Sequence, residues 1–208
     1  MKAATFLSAC LFVFSASADY VWPTATTGKD GNMASNGADG WNGGMPNGTG
    51  TTWFYGAGTY TPYLSCGTEL FLSPTVCLRN RSSVDESHVT LDISGLGTHM
   101  IFHKLQLGDS GDRADSTMKL YVHDGAKVSV TNSLVTKGKN CFFEFRDNAV
   151  LDVSSISTPV YLGDSGGSWG PGTGNFTVTN NFLFTDSEMK GNTVFFGYGA
   201  SSDRKSVV

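Results

Sequence analysis

The sequence predicts an all-β fold in which the chain coils repeatedly on itself, a β-solenoid. A nine-residue phrase recurs after 23 residues, and apolar residues alternate with polar ones along short segments. Glycine is abundant (26 of 208 residues), while only 15% of residues are charged. Residues 139–162 are rich in aromatic and β-branched residues and lack the 3.6-residue apolar period of a helix. Short strands joined by tight turns are therefore the expected elements.

The repeat is clearest between VHDGAKVSV (residues 122–130) and FRDNAVLDV (residues 145–153). Both copies place Asp before Gly or Asn, residues that tolerate the positive φ of a two-residue hairpin or of a solenoid corner. A further match, FTVTN at residues 176–180, follows VSVTN at residues 128–132 after 48 residues, or two units of about 24. One unit cannot bury its own apolar face, so stacked copies are expected to share a core.

A second phrase, LGDSG, occurs at residues 107–111 and 162–166, and FGYGAS at residues 196–201 resembles it. The second copy extends to GDSGG, the run around the nucleophile of trypsin-like proteases. That chemistry needs a histidine base and an orienting carboxylate, and none of the four histidines has the sequence context that those proteases use. Because the phrase is duplicated, we interpret it as a turn, and a serine protease using Ser165 is the least favoured alternative.

The first 18 residues have the features of a secretory signal peptide. A basic residue precedes a short apolar stretch, and small residues lead to a cleavage site near Ala18. The apolar stretch is too short to span a bilayer, so the mature chain is expected to be secreted or held at the cell surface. Export permits disulfides, and Cys66 and Cys77 are candidates for one, with free thiols as the alternative. Cys141 is expected to be a small buried side chain.

Charge excludes some partners. The net charge is −4 and no basic cluster is present, which argues against nucleic acid or an anionic membrane as partner. No transmembrane segment and no cofactor are expected. The spacing of Asp109, Asp112 and Asp115 fits neither an EF-hand loop nor a calcium-binding repeat, so we predict no metal site.

Three segments are predicted: the signal peptide (1–18), an irregular N-terminal cap (19–65) and the solenoid repeats (66–208). The chain is expected to end within a coil, as a fragment of a longer protein would. The cap is rich in Gly, Asn and aromatic residues. Its aromatic side chains are expected to cover the open end of the first coil, with stacking on sugars as the alternative. They are Trp41, Trp53, Phe54, Tyr55, Tyr60 and Tyr63.

The phrase LYVHDGAKVSVTNSLV (residues 120–135), with the LGDSG and FGYGASS phrases, resembles the repeats of autotransporter-like secreted β-helical proteins of bacteria. YVWPTATTGKDGN and WFYGAGTYT, nearer the N-terminus, are similar to the openings of such proteins. The resemblance covers about two thirds of the chain. It implies a right-handed, single-stranded β-helix of the passenger or adhesin type at a bacterial cell surface, with surface glycans or other surface proteins as partners. It supplies no catalytic residues.

The expected function is therefore that of an exported structural or adhesive repeat protein without catalytic activity. The alternative is a β-helical polysaccharide lyase or hydrolase, which would need clustered carboxylates and a basic residue on one outer face. Asp92 and Asp152 are predicted to occupy equivalent outward positions, and His123 and Arg146 to align one coil apart. These four could form a charged strip, but charges on exposed strands more often serve solubility and cross-strand pairing.

Overall fold

The structure, a computed structural model, describes residues 20–21, 31–34, 50–54, 58–78, 86–108, 115–136, 140–157, 160–162, 179–191 and 194–196. Across these ranges all regular secondary structure is β-strand. The strands are β1 (Tyr20–Val21), β2 (Gly31–Asn32), β3 (Thr51–Phe54), β4 (Gly58–Tyr60), β5 (Pro62–Leu64), β6 (Glu69–Leu78), β7 (Ser87–Ser94), β8 (His99–Leu107), β9 (Thr117–His123), β10 (Lys127–Thr136), β11 (Asn140–Arg146), β12 (Val150–Asp152), β13 (Val160–Leu162), β14 (Thr179–Thr185), β15 (Glu188–Lys190) and β16 (Val194–Phe196).

The described strands form two parallel sheets, so the predicted all-β class is confirmed. The first sheet has the order β1-β3-β6-β8-β10-β12-β15, with β13 beside β10 and β16 beside β13. The second has the order β14-β11-β9-β7-β5-β2, with β4 beside β7. From β6 to β12, consecutive strands alternate between the sheets. Each strand therefore pairs with the strand two places away in the chain, and consecutive strands do not pair with each other.

The strand register confirms the predicted 23-residue repeat. Val122 lies opposite Phe145 in the second sheet, and Val128 lies opposite Leu151 in the first. Other neighbouring strands are further apart in sequence: Met189 lies opposite Leu151, an offset of 38 residues. The strands keep their register while the connections between them vary in length, which is why the repeat is ragged in the sequence.

The match of FTVTN to VSVTN is wrong as a structural equivalence. Thr179 and Asn180, the last two residues of FTVTN, lie in the second sheet opposite Asn140 and Cys141. Val128, in VSVTN, belongs to the first sheet. Local strand patterns resemble one another in both sheets, so a five-residue match does not identify which sheet a strand joins.

The LGDSG phrases begin at equivalent strand ends. Tyr161 lies opposite Val135, which lies opposite Gln106, so the following residues, Leu162 and Leu107, end strands in the same column. Phe196, the first residue of the looser copy, lies opposite Leu162. The GDSGG run itself lies outside the described residues.

The Asp-Gly and Asp-Asn pairs are corners between the sheets. Asp124 and Gly125 have φ of 55° and 75°, and Asp147 and Asn148 have φ of 54° and 63°. The first pair joins β9 in the second sheet to β10 in the first, so it is not a hairpin. The corners stack, because the Gly125 N–H donates to the Asp147 carbonyl at 2.8 Å.

The corner at Gly125 leads to a testable prediction. We expect Gly125→Val to lower the free energy of unfolding by about 2 kcal/mol, since a left-handed backbone costs an L-residue 1–2 kcal/mol and β-branching adds to this. A Cβ there would also lie 3.3 Å from the Leu96 Cδ1 atom. Urea denaturation measures the change. Asn148→Gly, at the equivalent corner, is the control and should retain or slightly raise stability. An unchanged urea midpoint for Gly125→Val would contradict this account of the corner.

The predicted disulfide is not present. Cys66 and Cys77 are both free. Cys66 is exposed in a corner before β6, with φ of 63°, whereas Cys77 is buried near the end of β6. A strand rises about 3.3 Å per residue, so the two lie roughly 25 Å apart, whereas a disulfide needs Cα atoms within about 7 Å. Cys141 is buried, as expected, and its thiol lies 3.3 Å from the Leu107 carbonyl oxygen.

The core lies between the two sheets. Burial alternates along the strands, for example along all eight residues of β7. Inward side chains from paired strands form columns, so that Phe145 stacks on Phe184 with ring centroids 4.9 Å apart. Apolar burial of this kind is the main favourable term in folding.

Residues assigned to an irregular cap contribute strands instead. β3 pairs with β6 in the first sheet, and β5 pairs with β7 in the second. Phe54, Tyr60 and Leu64 point inward and are almost completely buried. Their alternation with less buried neighbours is the strand pattern, obscured in the sequence by glycine-rich surroundings. The boundary predicted at residue 65 therefore does not separate a cap from the sheets.

Candidate functional site

The outer face of the second sheet carries the densest group of interacting polar side chains among those described. Alternation along β7, β9 and β11 turns every second residue away from the core. The parallel register then aligns these residues across strands about 4.8 Å apart. The resulting columns are Thr90–Lys119–Phe142, Asp92–Tyr121–Glu144 and Ser94–His123 with Arg146 beyond it.

Glu144 is held by two cations. Its carboxylate pairs with Lys119 on β9, and its other oxygen lies 2.5 Å from the Nε atom of Arg146 on its own strand. Burial opposes ionisation of Glu144, but the hydrogen bond and charge of Lys119, aided by Arg146, outweigh it and lower the pKa of Glu144. Glu144 is therefore a stable carboxylate that links two strands.

His123 lies between two carboxylates. Its Nε2 atom is 3.0 Å from Asp92 Oδ1 on the neighbouring strand, and its Nδ1 atom is 2.8 Å from Asp124 Oδ2 at the corner. Both ring nitrogens thus face carboxylate oxygens. This arrangement joins β7, β9 and the corner after β9 at one point.

Tyr121 lies between these two groups. Its ring stacks on His123 with centroids 4.4 Å apart, and the Lys119 Nζ atom lies 4.5 Å from the ring centroid. Lys119 and His123 precede and follow Tyr121 by two residues, so they flank the ring on opposite sides along the strand. Burial, followed by the charge of Glu144, raises the pKa of Tyr121. The ring therefore presents its edge and a protonated hydroxyl.

The predicted charged strip is only partly formed. His123 and Arg146 do align on neighbouring strands, and Asp92 contacts His123. Asp152, however, lies on β12 in the first sheet, so its predicted equivalence to Asp92 is wrong. LDIS and LDVS are alike in sequence but belong to strands of different sheets. Sequence analysis missed Glu144, although its 23-residue offset from Tyr121 would have placed it on this face.

Asp152 takes part in a separate pair on the first sheet. Its Oδ2 atom lies 2.8 Å from Lys127 Nζ on the neighbouring strand, and its Oδ1 atom accepts from the Ser154 hydroxyl at 2.6 Å. The hydrogen bond from Lys127, followed by that from Ser154, lowers the pKa of Asp152 from 3.8 to about 2. The carboxylate is 18% exposed and Lys127 39% exposed, so solvent weakens the pair.

This lowered pKa leads to a prediction for acid stability. Because the pKa of Asp152 is lower in the folded chain, its ion pair contributes stability above about pH 4, which is lost as pH falls towards about 2. We expect Asp152→Asn to lower the free energy of unfolding by about 1 kcal/mol at pH 7 and by much less near pH 2. Urea melts across this range measure the difference. Asp147→Asn, at an exposed corner, is the control, and a pH-independent difference for Asp152→Asn would refute the prediction.

The described carboxylates do not match a hydrolase acid. A glycosidase general acid needs a raised pKa, so that it holds a proton near neutral pH. The pKa values of Glu144 and Asp152 are lowered instead. The histidines also contact neighbouring strands: His88 Nδ1 lies 2.9 Å from Thr117 Oγ1, and His99 Nε2 lies 2.9 Å from Ser129 Oγ. These contacts are of the kind that ties strands together.

The other predicted features are distributed as follows. No group of three or more His, Cys, Asp or Glu residues that could hold a metal occurs in the described part of the chain. No long apolar helix that could cross a membrane is found in the same residues. Of the predicted cap aromatics, Phe54 and Tyr60 are in the core, while Tyr63 is 39% exposed on the outer face of the second sheet. Ser165, Asp109, Asp112, Trp41 and Tyr55 lie outside the described residues.

Comparisons with protein families, with curated proteins and with solved structures gave no match for this chain.

Proposed function

We propose that this chain is an exported β-solenoid, coiled as a right-handed β-helix, that serves a structural or adhesive role at the cell surface without catalysing a reaction. The observation that carries the proposal is the strand pairing. Successive strands alternate between two sheets, and each pairs in parallel with the strand two places away. A chain that winds steadily along one axis produces this pattern. Parallel crossover connections are almost always right-handed, which supports the proposed handedness.

The chemistry of the outer face supports contact rather than catalysis. Glu144 pairs with Lys119 and Arg146, and His123 lies between Asp92 and Asp124. These pairs hold the charges in place across three strands and leave the carboxylates ionised. A surface of this kind suits an extended partner that lies along it. Repeat proteins commonly use such long faces for binding.

Export and attachment are tested together in a bacterial expression host that secretes proteins. We expect mass spectrometry of the exported chain to show an N-terminus at Asp19. Beads coated with the purified chain should be retained on bacterial cells or on isolated cell-wall material more than beads coated with albumin. A chain that stays uncleaved in the cytoplasm, or coated beads that bind no better than albumin beads, would overturn the proposal.

The enzymatic alternative is tested with the same purified chain. We expect no new reducing ends or unsaturated sugars after incubation with neutral and acidic polysaccharides, with or without Ca²⁺. Cleavage that disappears in Glu144→Gln or Asp152→Ala, while both variants unfold at temperatures close to that of the original chain, would replace the adhesive function by a catalytic one.

A further inference from the structure

One outward column of the second sheet has a regular chemical order. Asn32, Tyr63, Asp92, Tyr121 and Glu144 lie opposite one another on five consecutive strands. After the amide, tyrosine and carboxylate alternate. With strands about 4.8 Å apart, the pattern repeats roughly every 9.6 Å along the direction perpendicular to the strands.

The two tyrosines offer different contacts. Tyr63 is 39% exposed, and its neighbours on the same side of the strand, Thr61 and Ser65, are too short to extend over its ring. Tyr121 is flanked instead by the long side chain of Lys119 and the ring of His123. Tyr63 can therefore present a ring face, whereas Tyr121 presents a hydroxyl. An aromatic ring with an apolar face and a polar tip suits a partner of mixed polarity.

The charges around this column favour an uncharged partner. The carboxylate of Asp92 contacts His123, and the carboxylate of Glu144 contacts Lys119 and Arg146. A charged partner would have to displace one of these pairs. A neutral polyhydroxyl chain, in contrast, can donate hydrogen bonds to the carboxylates and accept one from the Tyr121 hydroxyl while the pairs stay intact.

We infer that this column binds a neutral β-1,4-linked glycan laid across the strands, with one sugar over each strand. The inference rests on the proposed function and specifies its partner. The strand spacing is close to the length of one hexopyranose in an extended β-1,4 chain. Successive sugars in such a chain are turned over, so the chain repeats every two sugars, as the column repeats every two strands. Tyr63 stacks on one sugar ring, and Asp92 accepts hydrogen bonds from the hydroxyls of the next.

The test measures binding of defined oligosaccharides to the purified full chain by isothermal titration calorimetry. We expect cellohexaose or chitohexaose to bind, and maltohexaose, whose α-1,4 links coil the chain, to bind at least tenfold more weakly. Tyr63→Ala should weaken binding about tenfold, equivalent to 1.4 kcal/mol. Tyr63→Phe should retain most of the affinity because the ring remains. Phe71→Ala is the matched control, since Phe71 is an exposed aromatic (51%) on the first sheet.

Each outcome has a defined meaning. Absence of binding to both β-1,4 hexaoses, or binding that Tyr63→Ala leaves unchanged, overturns the inference. Tighter binding of heparin than of either hexaose, weakened by salt, overturns the neutral chemistry of the partner. If beads coated with the chain adhere to cells while the hexaoses do not bind, only this inference fails and the proposed function stands. Thermal unfolding of each variant shows whether lost binding reflects lost structure.

Discussion

Replacing Phe145 by alanine is expected to lower the free energy of unfolding by about 3–5 kcal/mol, as large aromatic truncations in packed cores do. Phe145 is fully buried on β11 and lies in register with Val122 and Phe184 on the two neighbouring strands. Its ring stacks on Phe184 at 4.9 Å, so truncation removes apolar burial, an aromatic contact and the filling of a column. Neighbouring strands cannot close the gap without breaking their register.

Urea denaturation followed by circular dichroism measures this change. Phe71→Ala is the control, because Phe71 is exposed on the outer face of the first sheet and its truncation should change stability by less than about 1 kcal/mol. Equal losses for the two variants would show that Phe145 does not lie in a packed core.

Leu91→Asp is expected to prevent folding. Leu91 is fully buried on β7 and lies opposite Leu120 in the core of the second sheet. A carboxylate placed there has no cation beside it, and burying an unpaired charge costs several kcal/mol. That cost approaches the whole stability of a typical domain, about 5–15 kcal/mol.

The neighbouring residue provides a matched control. Thr90 points outward and lies opposite Lys119, so Thr90→Asp places the same charge beside a cation and should change stability by less than about 1 kcal/mol. Soluble yield and the circular dichroism spectrum distinguish the two variants. A folded, soluble Leu91→Asp chain, or an unfolded Thr90→Asp chain, would reverse the assignment of inner and outer faces on β7.

The strands and their inner faces could be predicted because alternation is local. The pairs Val122 with Phe145 and Val128 with Leu151 follow from a 23-residue match, and both occur in the structure. The corners at Asp124 and Asp147 were also foreseeable, since Asp-Gly and Asp-Asn tolerate positive φ. In each case a few neighbouring residues carry the signal.

Assignment of strands to sheets depends on distant pairings that a short motif does not encode. LDIS at Leu91 and LDVS at Leu151 are nearly the same, yet they lie in different sheets. A strand pairs according to the length of the preceding connection, and those lengths vary. For the same reason Glu144, which completes the outer face beside Lys119, could not be recognised before the register was known.

Removal of one proposed coil tests the central claim, that the chain winds with one strand per sheet in each turn. Met118 lies opposite Cys141, so deleting residues 118–140 removes 23 residues and leaves Cys141 to take the place of Met118. Lys127 and Val150 are likewise opposite each other, so the first sheet also stays in register. Deleting only residues 118–128 instead feeds second-sheet positions with first-sheet residues.

We expect the 23-residue deletion to retain a β-type circular dichroism spectrum and a cooperative urea transition, and the 11-residue deletion to lose both. An unfolded 23-residue deletion together with a folded 11-residue deletion would contradict the proposed winding of the chain.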